Sequence, residues 1–297
     1  MNYQQFVTVI NTKTNQLLCP EAFAKTHTAL KNNGTQRTGL TICQSSTNIS
    51  PTIYLEEYYR HYQDGMELDE IAESIVRLYR EVRFEHDWDV EQIKDFHAVK
   101  EKLAFKLINF EKNHDLLQRT PHVPYLDLAI VFFLLLETTE KGAATILITE
   151  EMLNYWKITL EELYPVALSN SPKLLRPEFK PMGEVINELM GVEYCTSEQI
   201  DESHMYVLSN QYRHFGAGCI LYDRVLEDIA NLLNEDFYIL PSSIHETIIL
   251  PASYNLSEQD LSEMVVDINE TQVSEEEVLS DHVYYYSREE NTILHNL

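Results

Sequence analysis

Glycine is scarce in this chain, with eight in 297 residues, and the scarcity removes one class of function at once. The sole G-x-G, Gly216-Ala217-Gly218, runs into Cys219-Ile220-Leu221, a strand-like stretch. Dinucleotide and phosphate loops need a helix N-terminus at that point, so the pair reads as turn or bulge glycines. Cysteine is equally sparse. Cys19, Cys43, Cys195 and Cys219 are widely spaced and form no C-x-x-C, which fits neither a disulfide framework nor a thiolate zinc site. A reducing cytoplasm is the expected compartment. The longest apolar run, LAIVFFLLL at 128–136, has nine residues, against about 20 for a spanning helix. It reads as a buried strand, and no membrane segment is expected. The opening MNYQQFV lacks the basic and apolar regions of a secretory signal.

Basic runs are absent as well. Lys and Arg total 22 against 48 Asp and Glu, a formal net charge of −26. Such a surface repels phosphate backbones and anionic lipid, so neither nucleic acid nor membrane is an expected partner. Hydrophobic residues still make up 44%, the composition of a folded protein and not of a disordered acidic chain.

Asn32-Asn33-Gly34-Thr35 between two short β-prone stretches signals a hairpin, because Asn-Gly supplies the positive φ a tight turn needs. The opening segment before it is polar and carries no clear assignment. Ser50 as cap, Pro51 at the first helical position and Gly65 as terminator bracket a helix. A tyrosine stripe at 54, 58 and 62 runs along it. Leu68, Ile71, Ala72, Ile75, Leu78, Tyr79 and Val82 recur at helical spacing in a second helix, making an αα-hairpin with the first. A short helix starts at Asp89-Val90. The stretch 102–107 alternates like a strand, and Pro121 and Pro124 mark a loop. Residues 125–136 and 143–148 form a long hairpin whose first strand lies mid-sheet. Thr149 caps the next helix, and Thr159 with Glu162 opens another, which Pro165 kinks or ends. Residues 171–181 read as a linker. A helix at 181–190, strands at 205–208 and 217–221, a helix at 223–233 and a hairpin around the turn 241–245 follow. Ser257 with Asp260, and Ser274 with Glu277, signal two terminal helices. The expected class is α+β, with antiparallel sheets built from β-hairpins and helices packed mainly on one face. The halves 1–170 and 171–297 are two sheet-bearing units or one domain.

Particular residues carry a family resemblance. They are Asn33-Gly34-Thr35 with Thr38-Gly39-Leu40-Thr41-Ile42, and then the block from Asn48-Ile49-Ser50-Pro51 to Tyr58-Tyr59. Further landmarks are Asn109, Asn113, Pro121-His122, Asp127-Leu128-Ala129, Glu162-Leu163-Tyr164, Ala167 and the late run from Val278 to Tyr284. Together they resemble an uncharacterised family of bacterial cytoplasmic proteins, mainly of anaerobic Gram-positive bacteria, catalogued as a domain of unknown function. Asn170-Ser171 stands where that family tends toward Asn-Thr. The resemblance implies one architecture over nearly the whole chain and supplies no activity.

The densest metal-like cluster, His86-Asp87-Trp88-Asp89 with Asp95 and His97, has no ordered ligand spacing and reads as solvated helix caps. No metal and no cofactor are expected. No G-x-S-x-G is present, and Cys219 with His214 nearby in sequence is the nucleophile–base pairing worth testing. Cys219 has apolar neighbours, as buried structural thiols do.

Tyrosine is abundant, at eighteen. Tyr54, Tyr58, Tyr62 and Tyr284 are candidate interface residues, since the ring buries area and the hydroxyl still bonds. Half-buried packing is the plainer reading. Residues 255–290 hold eleven Asp/Glu and one basic residue, Arg288, with an apolar stripe of Leu261, Met264, Val265 and Ile268. Glu275 and Glu276 belong to this anionic region. The expected function is a noncatalytic cytoplasmic interaction or regulatory module whose partner has a basic surface. The alternatives are a hydrolase-like enzyme with a site assembled from distant residues, and a DNA mimic from a mobile element.

Overall fold

The computed structural model describes residues 1–44, 50–83, 90–139, 142–192, 204–254 and 256–294. Contacts group the chain into two units, Met1–Glu91 and Gln92–Leu297.

The first unit opens with α1 (Tyr3–Leu17), started by a reciprocal capping box between Asn2 and Gln5. Its buried residues Phe6, Val7, Ile10 and Thr14 lie on one stripe, so the polar opening is a helix with a narrow apolar face. The hairpin forms as expected from β1 (Ala22–Leu30) and β2 (Gln36–Gln44), with Asn33 and Gly34 at positive φ in its turn. A third strand, β3 (Thr52–Tyr54), pairs antiparallel with β2 and sets Ile53 against Leu40. This corrects the helix expected from Ser50 and Pro51. The β-branched and aromatic residues Thr52-Ile53-Tyr54 fill a sheet position, and α2 (Glu56–Gln63) starts only after Leu55, without a side-chain cap. The link to α3 (Leu68–Val82) is short, and Ile71, Ala72, Ile75, Val76 and Tyr79 are the buried face of α3. Phe6, Ile10, Leu40, Ile42, Leu55, Ile71 and Ile75 form this unit's core.

α4 (Val90–Ile93) spans the boundary between the units, and in the second unit α5 (Phe96–Val99) leads into β4 (Leu103–Asn109). After α6 (His114–Leu117) come β5 (His122–Tyr125), β6 (Leu128–Thr139) and β7 (Gly142–Leu147). Pro121 therefore precedes a strand and Pro124 lies within it, where a plain loop was expected. β6 pairs with β4 over 128–134, and also with both β5 and β7. Every residue from Leu128 to Leu135 is buried, the mid-sheet strand that the apolar run implied.

Thr149 caps α7 (Glu150–Trp156), and the Thr159–Glu162 box opens α8 (Leu160–Leu174). Neither Pro165 nor Pro172 ends α8. A proline inside a helix costs about 3 kcal/mol, here offset by the burial of Leu163 and Ala167 and by Ser171. That hydroxyl donates to the Ala167 carbonyl (2.8 Å) and accepts from the Phe105 N–H of β4 (3.0 Å). The expected linker at 171–181 is thus the end of α8 and the strand β8 (Pro177–Pro181), which pairs with β9 (Tyr206–Asn210).

α9 (Met182–Met190) stops at Gly191, whose φ is 66°. Gly216–Leu221 is a buried 3-10 turn, not the expected strand, because glycine lets its backbone approach β9 closely. After α10 (Val225–Leu233) come β10 (Phe237–Leu240), β11 (Thr247–Pro251), α11 (Glu258–Thr271), β12 (Tyr284–Ser287) and β13 (Thr292–Leu294). The sheet order is β13-β12-β10-β11-β9-β8, all antiparallel. Ile239 and Ile249 face the main core, and Leu240, Ile248 and Leu250 pack against Leu261 and Val265 of α11. The expected second terminal helix is instead a turn at 275–277 followed by an isolated bridge, Ser243↔Val278. The fold class is α+β with antiparallel sheets. Among the described residues no helix is long and apolar enough to cross a membrane.

Candidate functional site

Cys219 is fully buried, and its thiol donates to the Ser209 carbonyl at 3.2 Å. Burial pushes that thiol up to about 12, so at neutral pH it carries almost no thiolate, the form that attacks electrophiles. The His214 ring lies 6.1 Å from that of His245. The partners that hold the thiol are the Ser209 carbonyl and the Tyr222 hydroxyl. Alkylation at pH 8 is expected to modify the exposed Cys19 readily and to reach Cys219 only on unfolding. Equal rates at the two, read by peptide mass mapping, contradict this burial.

His245 ties three segments together. Its Nδ1 accepts from the Phe215 N–H at 3.3 Å, and its Nε2 lies 3.4 Å from the Glu277 carboxylate. Its carbonyl accepts from Ser209 Oγ at 2.7 Å, and its N–H donates to Ser243 Oγ at 3.1 Å. An Nδ1 that accepts is unprotonated, so the ring carries its proton on Nε2, facing Glu277. Both ring nitrogens are occupied, and the imidazole acts as a strut.

A second network pins the segment that leads to β12. Asp127, at the β5–β6 turn, accepts from Ser280 Oγ at 2.6 Å and from the Tyr284 hydroxyl. Asn109 donates to the Leu279 carbonyl at 3.0 Å, and Asn269 of α11 donates to Ser280 O and to Asp281 Oδ1. Leu279 and Ser280 also donate backbone N–H groups to the Ser242 and Pro241 carbonyls. Burial first, then the Asp127 charge, hold the Tyr284 phenol well above the ordinary tyrosine value. It is a hydrogen-bond donor and not a phenolate base. Burial likewise raises Tyr125 to about 12. Residue reasoning missed this network, although Asn109, Asp127 and the run from Val278 to Tyr284 are landmarks of the resemblance. Asp127 and Tyr284 lie 157 residues apart, and nothing local in the chain announces that they meet.

The tyrosine stripe is divided. Tyr54 sits on β3 with Lys31 Nζ 4.1 Å above its ring. Tyr58 and Tyr62, on α2, pack half-buried against the first unit's core, and Tyr62 accepts from the Met1 amino group. Tyr284 is 2% exposed, which leaves it no area to offer a partner. These placements match the packing role of large amphipathic rings.

The anionic residues lie at the surface. Asp260, Glu263, Asp267 and Glu270 of α11 are exposed, at spacings of three and four that share one helix face, opposite the buried Leu261 and Val265. Glu275 is exposed and Glu276 half-exposed in the following turn. Between Arg224 and Arg288 the sequence has fourteen Asp/Glu and no Lys or Arg, so no basic side chain of that stretch neutralises the face. Asp95 caps α5 by accepting from the His97 N–H, as a cap reading implies, while His86, Asp87, Trp88 and Asp89 lie outside the described residues. Among the described residues no group of three or more His, Cys, Asp or Glu could hold a metal ion.

No curated protein and no solved structure matches the chain. One family model does, over residues 3–288, nearly the full length. The chain belongs to a family of unknown function (DUF5688).

Proposed function

We propose that this protein is a noncatalytic cytoplasmic interaction or regulatory module that binds a partner with a basic surface through α11 and the turn after it. The row of exposed carboxylates at 260, 263, 267 and 270, in a stretch without Lys or Arg, carries the reading. Aligned like charges focus a negative potential, which raises the encounter rate with a cationic surface and selects against anionic ones. The His245–Glu277 contact and the Asp127 network support it by fixing the segment that follows α11, so that the carboxylates sit on a rigid frame.

The test is fluorescence anisotropy of a labelled lysine-rich helical peptide against the full chain, with salt raised from roughly 50 to 300 mM, a range over which screening shortens markedly. Affinity is expected to fall steeply with salt. No binding at low salt, or a flat salt profile, overturns the proposal.

A further inference from the structure

A surface of the opposite sign lies at the other end of the sequence. In a chain of net charge −26, residues 22–55 hold Lys25, Lys31 and Arg37 and no Asp or Glu. That stretch spans all three strands of the first unit's sheet. Among the described residues β1 pairs only with β2, at the edge of this sheet.

The hydrogen-bonding pattern identifies what the edge offers. Ala24 turns both backbone groups away from β2. Its N–H donates to Asn15 Oδ1 at 2.8 Å, and its carbonyl accepts from Asn15 Nδ2 at 3.0 Å. Direction alternates along an antiparallel strand, so Thr26 and Thr28 also point outward. The other strand agrees. Thr38, opposite Thr28, bonds away from β1, to Glu56 through its N–H and to the Leu55 N–H through its carbonyl. Asn15 thus closes the edge at Ala24, and among the described residues none bonds the outward N–H and C=O groups of Thr26 and Thr28, which face an added strand.

Side chains decide which strand. Phe23, Lys25 and His27 share one face by two-residue alternation. Phe23 is 56% exposed and Leu30, at the far end, is 54% exposed. The His27 ring lies over Gly39, where an added Cβ would come within 2.9 Å of it. Lys25 stands exposed beside it.

We propose that the β1 edge, from Thr26 to Leu30, binds an extended acidic peptide of a partner protein as a fourth strand of this sheet. Carboxylates at alternate positions of the peptide would face Lys25 and His27 across the new ladder, while the backbone of Thr26 and Thr28 completes it. A second copy of this chain fits poorly. Pairing β1 with itself brings Lys25, His27 and Lys31 of both copies together, and Lys on an edge guards against such pairing. An acidic strand turns the same charge into attraction. This site does not rest on the α11 proposal, since it lies on another unit and takes a ligand of opposite charge.

The probe is a labelled eight-residue peptide alternating Glu and Val, titrated into the full chain. Binding is expected, with slowed deuterium exchange over residues 22–31. Two N-methylated versions separate a strand from a charge effect. One is methylated on the odd amides and the other on the even amides. Only one set can face β1, so one version should lose binding and the other keep it. Lys25→Glu, an exposed change that leaves the core untouched, should weaken the parent peptide about tenfold. Any of the following overturns the proposal: both methylated peptides binding like the parent, a Lys–Val peptide binding equally well, or exchange slowing only elsewhere. So does a concentration-dependent dimer that buries residues 22–31.

Discussion

Asp127→Ala is expected to lower the unfolding free energy by about 3 kcal/mol, since a charged acceptor of two hydrogen bonds is lost and both donors are stranded. The donors are Ser280 Oγ and the Tyr284 hydroxyl, on residues that are 0% and 2% exposed, so water cannot readily replace the carboxylate. Tyr284→Phe removes one donor and leaves the carboxylate bonded to Ser280, and about 1 kcal/mol is expected for it. Because the two changes delete one shared contact, the double variant should cost less than the sum. Urea titrations of the four proteins give these numbers, and a loss under about 0.5 kcal/mol for Asp127→Ala contradicts the network's role.

The same network sets an alkaline limit. The folded state holds the Tyr284 phenol above its ordinary value of 10.0, through burial first and the Asp127 charge second. A group whose folded pKa is raised contributes stability that is complete below the unfolded pKa and is lost as pH climbs toward the folded one. Stability should therefore decline above pH 10, and Tyr125, raised to about 12 by burial, adds to the decline in the same direction.

Gly216→Ala is the second large effect, about 3 kcal/mol of destabilisation by overpacking. A Cβ at Gly216 would lie 2.2 Å from Ser209 Oγ, 2.5 Å from the His245 carbonyl and 2.8 Å from the Asn210 backbone nitrogen. Two of those atoms are backbone. The third is tied to the His245 carbonyl at 2.7 Å, so none is the loose end of a flexible side chain. Relief requires moving the turn that holds His245 away from β9. Gly218 gives the contrast, because its added Cβ meets the Phe105 ring at 3.3 Å, a contact a small ring shift relieves. Thermal unfolding should place Gly216→Ala well below Gly218→Ala, and similar midpoints contradict the account.

The G-x-G pair also shows where reading residues along a chain stops. Its glycines were legible as structural, and their surroundings were not, since the contacts at Gly216 come from residues 209–210 and 245. Most signals confined to neighbours in sequence held, the Ser274–Glu277 start of a second terminal helix being an exception. The Asn33-Gly34 turn, the caps at Thr149 and Thr159, the box at Ser257 and the central strand at 128–136 are all present. Failures fell where pairing at a distance outweighs local preference. Ser50-Pro51 looked like a helix start, yet Ile53 has a strand partner in Leu40. Residues 177–181 looked like linker, yet they pair with β9. The α1 start at Asn2 and Gln5 went unassigned in the polar opening, because its apolar stripe is narrow and its exposed face has little charge. Of the site, the acidic face was legible from composition. The Asp127–Ser280–Tyr284 network was not, because no local pattern links residues so far apart in the chain.

The central claim is that the place of the charge, and not its total, selects the partner. Two double variants separate these. Glu263→Lys with Asp267→Lys reverses two exposed carboxylates on α11, and Glu70→Lys with Glu73→Lys reverses two exposed ones on α3. Each changes the net charge equally. Against the lysine-rich peptide at low salt, with folding confirmed by circular dichroism, the α11 pair should weaken binding at least about tenfold, while the α3 pair should stay within about twofold. Equal losses from the two pairs would mean that the peptide senses only net charge, and would contradict the account.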